Sequence, residues 1–180
     1  MKKISQMFII VCLVLLNVQL VSAAEKPWID PTFDFSKAHR ILILKPNYTV
    51  DTGGATSEEV TDMLYQEAKQ LNMYPLNMSD IDKNVLRDSA IDLPKLRGDD
   101  PKKAEGVFNN EALKYTDLYM VATIVHNNRV MIFYDVYSMK TKQLVYTYKS
   151  VAGSSAGDTI ATYQELTKSF YKEFNKINKR

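Results

Sequence analysis

The chain has 180 residues, 46% hydrophobic and 24% charged, a balance that excludes a disordered tail, a collagen-like repeat and a disulfide-stapled miniprotein. Its 23 Lys and Arg stand against 21 Asp and Glu, so a formal charge of +2 leaves no whole-molecule field to draw nucleic acid or an anionic membrane. One Cys and two His cannot build a Cys/His zinc cage.

Lys2 and Lys3 precede an apolar run from Met7 to Leu16, and small residues follow at Val21-Ser22-Ala23-Ala24. This is the pattern of a secretory signal peptide over residues 1–23, cleaved after Ala23 or Ala24. An uncleaved N-terminal anchor is the competing reading, although the run falls short of the roughly 20 apolar residues a membrane span needs. Lipidation of Cys12 is a third reading, opposed by Val11, which is not the small residue expected before such a cysteine. Taking residues 1–23 away leaves 157 residues with 21 basic and 21 acidic side chains and no cysteine. The mature protein would have no membrane span and no disulfide, and a packed core must hold it.

Residues 24–39 are expected as an extended arm and residues 40–180 as one α/β domain. In the arm, Pro27 and Pro31 discourage helix, while Trp28, Ile29, Phe33 and Phe35 need cover. The arm either packs on the domain's own sheet or offers Trp28 and Phe33 to a partner. Arg40 to Pro46 is a short apolar run closed by proline, which suits a strand buried on both faces. After a loop holding Gly53 and Gly54, Thr56-Ser57-Glu58-Glu59 forms a capping-box pattern. Val60, Met63, Leu64, Ala68 and Leu71 then give a helix from Ser57 to Leu71. A strand at Met73 to Leu76 completes a βαβ unit, whose crossover should be right-handed.

The middle of the chain is polar and interrupted. Ser79 is the expected cap of a short helix ending at Arg87, and Pro94, Gly98 and Asp99-Asp100-Pro101 mark a charged loop before a second helix at Lys102 to Lys114. Asp117 to Val125 and Val130 to Tyr137 are strand-like about a turn at Asn127-Asn128. A further turn at Ser138 to Lys142 leads to a third strand at Leu144 to Lys149. Asp158 then opens a last helix with Ile160, Tyr163, Leu166, Phe170, Phe174 and Ile177 on one stripe, ended by Lys176, Lys179 and Arg180. The expected fold is a single mixed sheet of about five strands in the order β-α-β-(α-α)-β-β-β-α, with helices packed on it.

Asp34-Phe35-Ser36-Lys37 before the first strand, Thr116-Asp117-Leu118-Tyr119-Met120-Val121 entering a later one, and Asp135-Val136-Tyr137 facing Lys140-Thr141-Lys142-Gln143-Leu144-Val145 across a hairpin carry a resemblance spread over residues 34–178. The pattern resembles exported α/β domains similar to the periplasmic part of the curli secretion lipoprotein and the N-terminal domain of the Tol-associated propeller protein. The resemblance implies a role in envelope assembly and protein contacts, without catalysis. The chain departs from the lipoprotein members in its cysteine.

The chain carries partial matches to catalytic and ligand-binding motifs. Gly153-Ser154-Ser155-Ala156-Gly157 fits G-x-S-x-G between a strand and a helix, the context of a nucleophile elbow. The histidine base of that arrangement follows the serine, whereas His39 and His126 both precede Ser155, so a flexible loop is the better reading. Gly53-Gly54 sits where a phosphate turn would sit, but the glycine spacing is wrong and Glu58 and Glu59 already occupy the helix's positive end. Asp80-Ile81-Asp82-Lys83-Asn84 alternates oxygens as a calcium loop does, but Val85 replaces the glycine and Ile91 the distal glutamate. Lys102, Lys103 and the terminal cations are too diluted by acids for a nucleic-acid surface. No cofactor, metal or catalytic residue is therefore expected, and Gly53, Gly54, Ser155, Trp28 and Phe33 remain as candidate site residues. The reading is an exported, non-enzymatic bacterial envelope protein, periplasmic or extracellular, binding another envelope protein or itself. The alternatives are a small serine hydrolase using Ser155 and a small-ligand module using loops at the end of the sheet.

Overall fold

The computed structural model describes residues 26–48 and 55–177. The proposed signal at 1–23, Gly53, Gly54, Lys179 and Arg180 lie outside the described residues.

The arm opens with a two-residue strand, β1 (Trp28–Ile29), followed by a 3-10 turn at Phe35–Lys37. Asp34 caps that turn by accepting the amide of Ser36. Next comes β2 (Arg40–Ile43), with Ile41, Leu42 and Ile43 buried, as the unbroken apolar run predicts for a strand covered on both faces. A second two-residue strand, β3 (Asn47–Tyr48), follows it. The capping box then forms: Thr56 Oγ1 accepts the Glu59 amide while Glu59 Oε2 accepts the Thr56 amide, starting α1 (Ser57–Ala68). This helix stops at Ala68, short of Leu71, because Lys69, Gln70 and Leu71 turn back onto i−3 carbonyls. β4 (Tyr74–Leu76) completes the βαβ unit.

Three helices, where two were expected, link β4 to the hairpins. α2 (Met78–Ser89) is capped by Asn77, not Ser79: Asn77 Oδ1 accepts the Asp80 amide and Asp80 returns a bond to the Asn77 amide, a box that lies two residues earlier. The expected charged loop is α3 (Leu93–Asp99), and α4 runs over Pro101–Ala112. Pro94 and Pro101 each stand in the first turn behind an aspartate cap, Asp92 and Asp100, where a missing N–H costs nothing. They start helices here and do not break them.

β5 (Leu118–His126), β6 (Val130–Ser138) and β7 (Leu144–Val151) form the consecutive antiparallel strands expected, and α5 (Ile160–Ile177) closes the fold. Thr159, not Asp158, opens α5, with Oγ1 accepting the Thr162 amide. The strand order is β1-β7-β6-β5-β2-β4, with β3 pairing to β5, seven strands among the described residues. β2 is parallel to β4 and β5, β6 is antiparallel to β5 and β7, and β1 is antiparallel to β7, so the sheet is mixed. The count exceeds five because β1 and β3 are two residues each, too short to show any period in sequence.

Alternate residues of the sheet enter two separate cores. On one face, Met120, Ala122, Ile132, Tyr134, Tyr146 and Tyr148 pack with Val60 and Leu64 of α1 and with Leu166, Phe170 and Phe174 of α5. On the other face, Leu42 and Leu76 pack with Ile81 and Val85 of α2, Leu93 of α3 and Ala112 of α4. The helix stripe on α5 is core, as its spacing predicts.

Candidate functional site

The second core ends part-way across the sheet. Helices α2, α3 and α4 cover β4 and β2 and reach Tyr119 on β5, and the side chains beyond Tyr119 on that face belong to neither core. Register fixes which these are, because paired residues on adjacent strands project to one side. One row is Val121, Asp135, Thr147 and Trp28; the next is Thr123, Phe133 and Lys149; the third is Val125, Met131 and Val151. All except Trp28 are half-buried, with no layer of the described residues over them, and Trp28 at the β1 edge is 48% exposed. Asp135 accepts the Thr147 hydroxyl at 2.6 Å, and Lys149 Nζ lies 6.0 Å from the Phe133 ring. At the covered margin, Tyr119 and Tyr137 stack at 5.0 Å with Lys142 Nζ 5.5 Å from the Tyr119 ring. Burial pushes the Lys142 ammonium down and the phenols of Tyr119 and Tyr137 up, Asp135 and Tyr119 adding to the rise at Tyr137. This surface is a broad apolar and aromatic plane with one acid and one base within it.

A second concavity lies at the N-terminal ends of β2 and β5. It is an open groove of about 540 Å³, with the arm on one side, the residues after α4 on another and the turn after β6 on the third. Asp117 ties its floor together. Its Oδ2 accepts the amides of His39 at 2.9 Å and Arg40 at 3.0 Å, and its Oδ1 accepts from Arg40 Nη2 at 3.0 Å. Burial works to raise the Asp117 pKa, but the Arg40 hydrogen bonds and charge, with the His39 amide, hold it below the ordinary carboxylate value.

At the opposite end of the sheet, Asp158 receives the Tyr163 hydroxyl on Oδ1, and His126 Nδ1 stands 3.6 Å from its other oxygen. The Asp158 side chain is only 10% exposed, and both its Oδ2 and the Tyr48 hydroxyl are buried without a hydrogen bond among the described residues. Burial, then the carboxylates of Asp158 and Glu59, push the Tyr48 phenol up.

The structure scatters the five candidate residues. Trp28 stands at the edge of the open sheet face, and Phe33 lines the groove while its ring packs edge-on to Phe35 at 4.8 Å. Ser155 is exposed in a turn closed by the bond from the Ala156 amide to the Gly153 carbonyl. Among the described residues its hydroxyl has no hydrogen-bond partner, and α5 begins five residues further on, so Ser155 is not at the strand-to-helix corner that a nucleophile elbow occupies. His126 does approach this region, which its sequence position does not suggest, but its contact is with Asp158. Gly53 and Gly54 lie outside the described residues. Among the described residues, no group of three or more His, Cys, Asp or Glu could hold a metal, and no helix is long and apolar enough to cross a membrane.

No family model matches the chain, and no curated protein matches it. Among solved structures it is similar to the PelC dodecamer protein from Paraburkholderia phytofirmans, at 8% identity and a TM-score of 0.49 over 88% of this chain and 99% of that one. It is also similar to the LpoB C-terminal domain from Escherichia coli, at 11% identity and a TM-score of 0.46 over 67% and 99%. A third is lipoprotein GNA1162 from Neisseria meningitidis, at 7% identity and a TM-score of 0.41 over 77% and 99%. Neither the curli secretion lipoprotein nor the Tol-associated propeller protein is among these three. Likenesses of this size assign neither an activity nor a partner to this chain.

Sequence reasoning missed the open face as a surface, although Val121, Thr123 and Val125, and Met131, Phe133 and Asp135, occupy the alternate phase of two strands it did find. What it lacked was the extent of the helical cover. The groove comes from three segments distant in sequence and leaves no local signal.

Proposed function

We propose that the chain is an exported, non-enzymatic binding domain of a bacterial envelope, with residues 1–23 as its export signal and the open sheet face as its contact surface. The observation that supports this reading is the uncovered plane of Val121, Val125, Met131, Phe133 and Trp28, three strands wide and bordered by the edge strand β1. Apolar side chains interleaved with a few polar ones, as Asp135, Thr147, Thr123 and Lys149 are here, are the usual make-up of a protein-binding surface. Asp135 and Lys149 within the plane would set the orientation of the partner, another envelope protein or a second copy, more than its affinity. The serine hydrolase reading loses support, because the Ser155 hydroxyl has no hydrogen-bond partner among the described residues and lies off the strand-to-helix corner.

A photo-crosslinking residue placed at Phe133 in living cells tests the proposal, with Lys172 on the exposed side of α5 as the control. A discrete adduct from position 133 and none from position 172 is the expected result. No adduct at 133, or the same adducts from both positions, would overturn it.

A further inference from the structure

We propose that the groove between the N-terminal arm, the end of α4 and the β6–β7 turn binds a small amphiphilic carboxylate, an anionic head on an apolar chain. The first ground is shape and lining. A volume of about 540 Å³ lies within the range of small-molecule sites, and its apolar wall is made by Phe33, Ala38 and Leu113. Leu113 is 43% exposed in this concavity, one of four large apolar side chains that stand open among the described residues.

The second ground is charge. Two acids line the groove, and both are already engaged. Asp117 is held by Arg40 and two backbone amides, and Asp34 accepts from Ser36 and pairs with Lys37 at 3.0 Å. Lys140 is exposed on the rim and has no ion pair among the described residues. Two residues before it, Ser138 is 4% exposed, and its Oγ accepts the Thr141 amide at 3.3 Å, which leaves its own proton to donate. A cation and a hydroxyl on the β6–β7 side of a groove whose other sides carry Leu113 and Phe33 match a carboxylate head on an apolar chain. This explains the arm's course as well: Pro31 and the 3-10 turn at Phe35–Lys37 place Phe33 and Ala38 as a wall that the sheet alone would lack.

The test is a titration of the full chain with octanoate, and with octanol as its uncharged counterpart, followed by amide chemical shifts. Octanoate is expected to move the resonances of Ala38, Leu113, Thr116 and Ser138, and octanol to bind the same place more weakly. Lys140→Glu should weaken octanoate by about tenfold, the loss of one charge-assisted contact, and leave octanol unchanged. Leu113→Ser should weaken both. Equal affinity for the two ligands, indifference to Lys140→Glu, shifts confined to the open sheet face, or no binding would each overturn the assignment.

Discussion

Residues that alternate along β5, β6 and β7 have opposite surroundings. On the covered face, Tyr134 stacks on Phe170 at 4.3 Å, Tyr146 meets Phe174 edge-on at 5.0 Å, and every ring is excluded from water. On the open face, Phe133, Met131 and Val121 remain half-buried with no helix of the described residues over them. Hydrophobicity does not separate the two sets, since Ala122 and Ile124 lie on one side and Val121 and Val125 on the other. The covered face differs in how its polar atoms are provided for. Tyr134 shares a hydrogen bond with Thr167 at 2.9 Å, Tyr148 with Ser169 at 3.0 Å, and Tyr171 donates to the Leu64 carbonyl at 2.9 Å. Tyr146 and Ser150 are the exceptions on this face, their hydroxyls being buried with no hydrogen-bond partner among the described residues. On the open face the Thr147 hydroxyl donates to Asp135 at 2.6 Å.

The sharpest test of this contrast is Phe170→Ala. Its ring is fully buried and lies within 6.1 Å of Tyr134, Tyr146, Tyr148, Tyr171 and Phe174, so truncation leaves a cavity among rigid rings that cannot close over it. A loss of about 3–5 kcal/mol is expected, read as a fall in the urea midpoint. A loss below about 1 kcal/mol would mean that α5 does not hold the covered face together.

Asp117→Ala comes next, because it removes the acceptor for two backbone amides and the Arg40 guanidinium at the N-terminal ends of β2 and β5. The side chain is 29% exposed, so water recovers part of the loss, and about 2–3 kcal/mol is expected. The same carboxylate sets a pH dependence. Its pKa is depressed in the folded state, so its contribution is complete above the unfolded value, about 3.9, and is lost as pH falls through the lower folded value. The wild type should therefore lose stability in that acid window by more than Asp117→Ala does, measured as midpoints against pH. Parallel curves would remove Asp117 as the source.

Much of the fold was legible, for identifiable reasons. The Thr56–Glu59 box and the α5 stripe depend on local spacing, and the hairpin strands are long enough for their character to show. Pro94 and Pro101 read as breakers in the sequence unless Asp92 and Asp100 before them are recognised as caps. The candidate sites were less legible, because each depends on what tertiary packing leaves uncovered or brings together. Nothing in the local sequence around His126 or Asp158 says that they will stand 3.6 Å apart, and Leu113, Phe33 and Lys140 meet only once the sheet has formed. A smaller test bears on the legible part: Thr56→Ala removes one half of the capping box and should cost about 1 kcal/mol, with Glu59→Gln costing less. A cost near zero would mean that packing of Val60 and Leu64 alone fixes the start of α1.

The smallest stability effect carries the most functional information. Phe133→Ser removes an apolar ring from the open face, where its neighbours across the strands are Thr123 and Lys149 and no helix of the described residues rests on it. No cavity forms, and the serine meets water in place of a core, so the expected cost is within about 1 kcal/mol, chiefly from strand propensity. If the plane is a contact surface, the same change should abolish the partner adduct obtained from a crosslinker placed at Met131, while the urea midpoint hardly moves. Phe170→Ala should show the opposite balance when compared at a temperature where it remains folded: a large loss of stability with the adduct retained. A large stability cost for Phe133→Ser would show instead that the face is covered within the monomer, and would remove the observation on which the binding proposal stands.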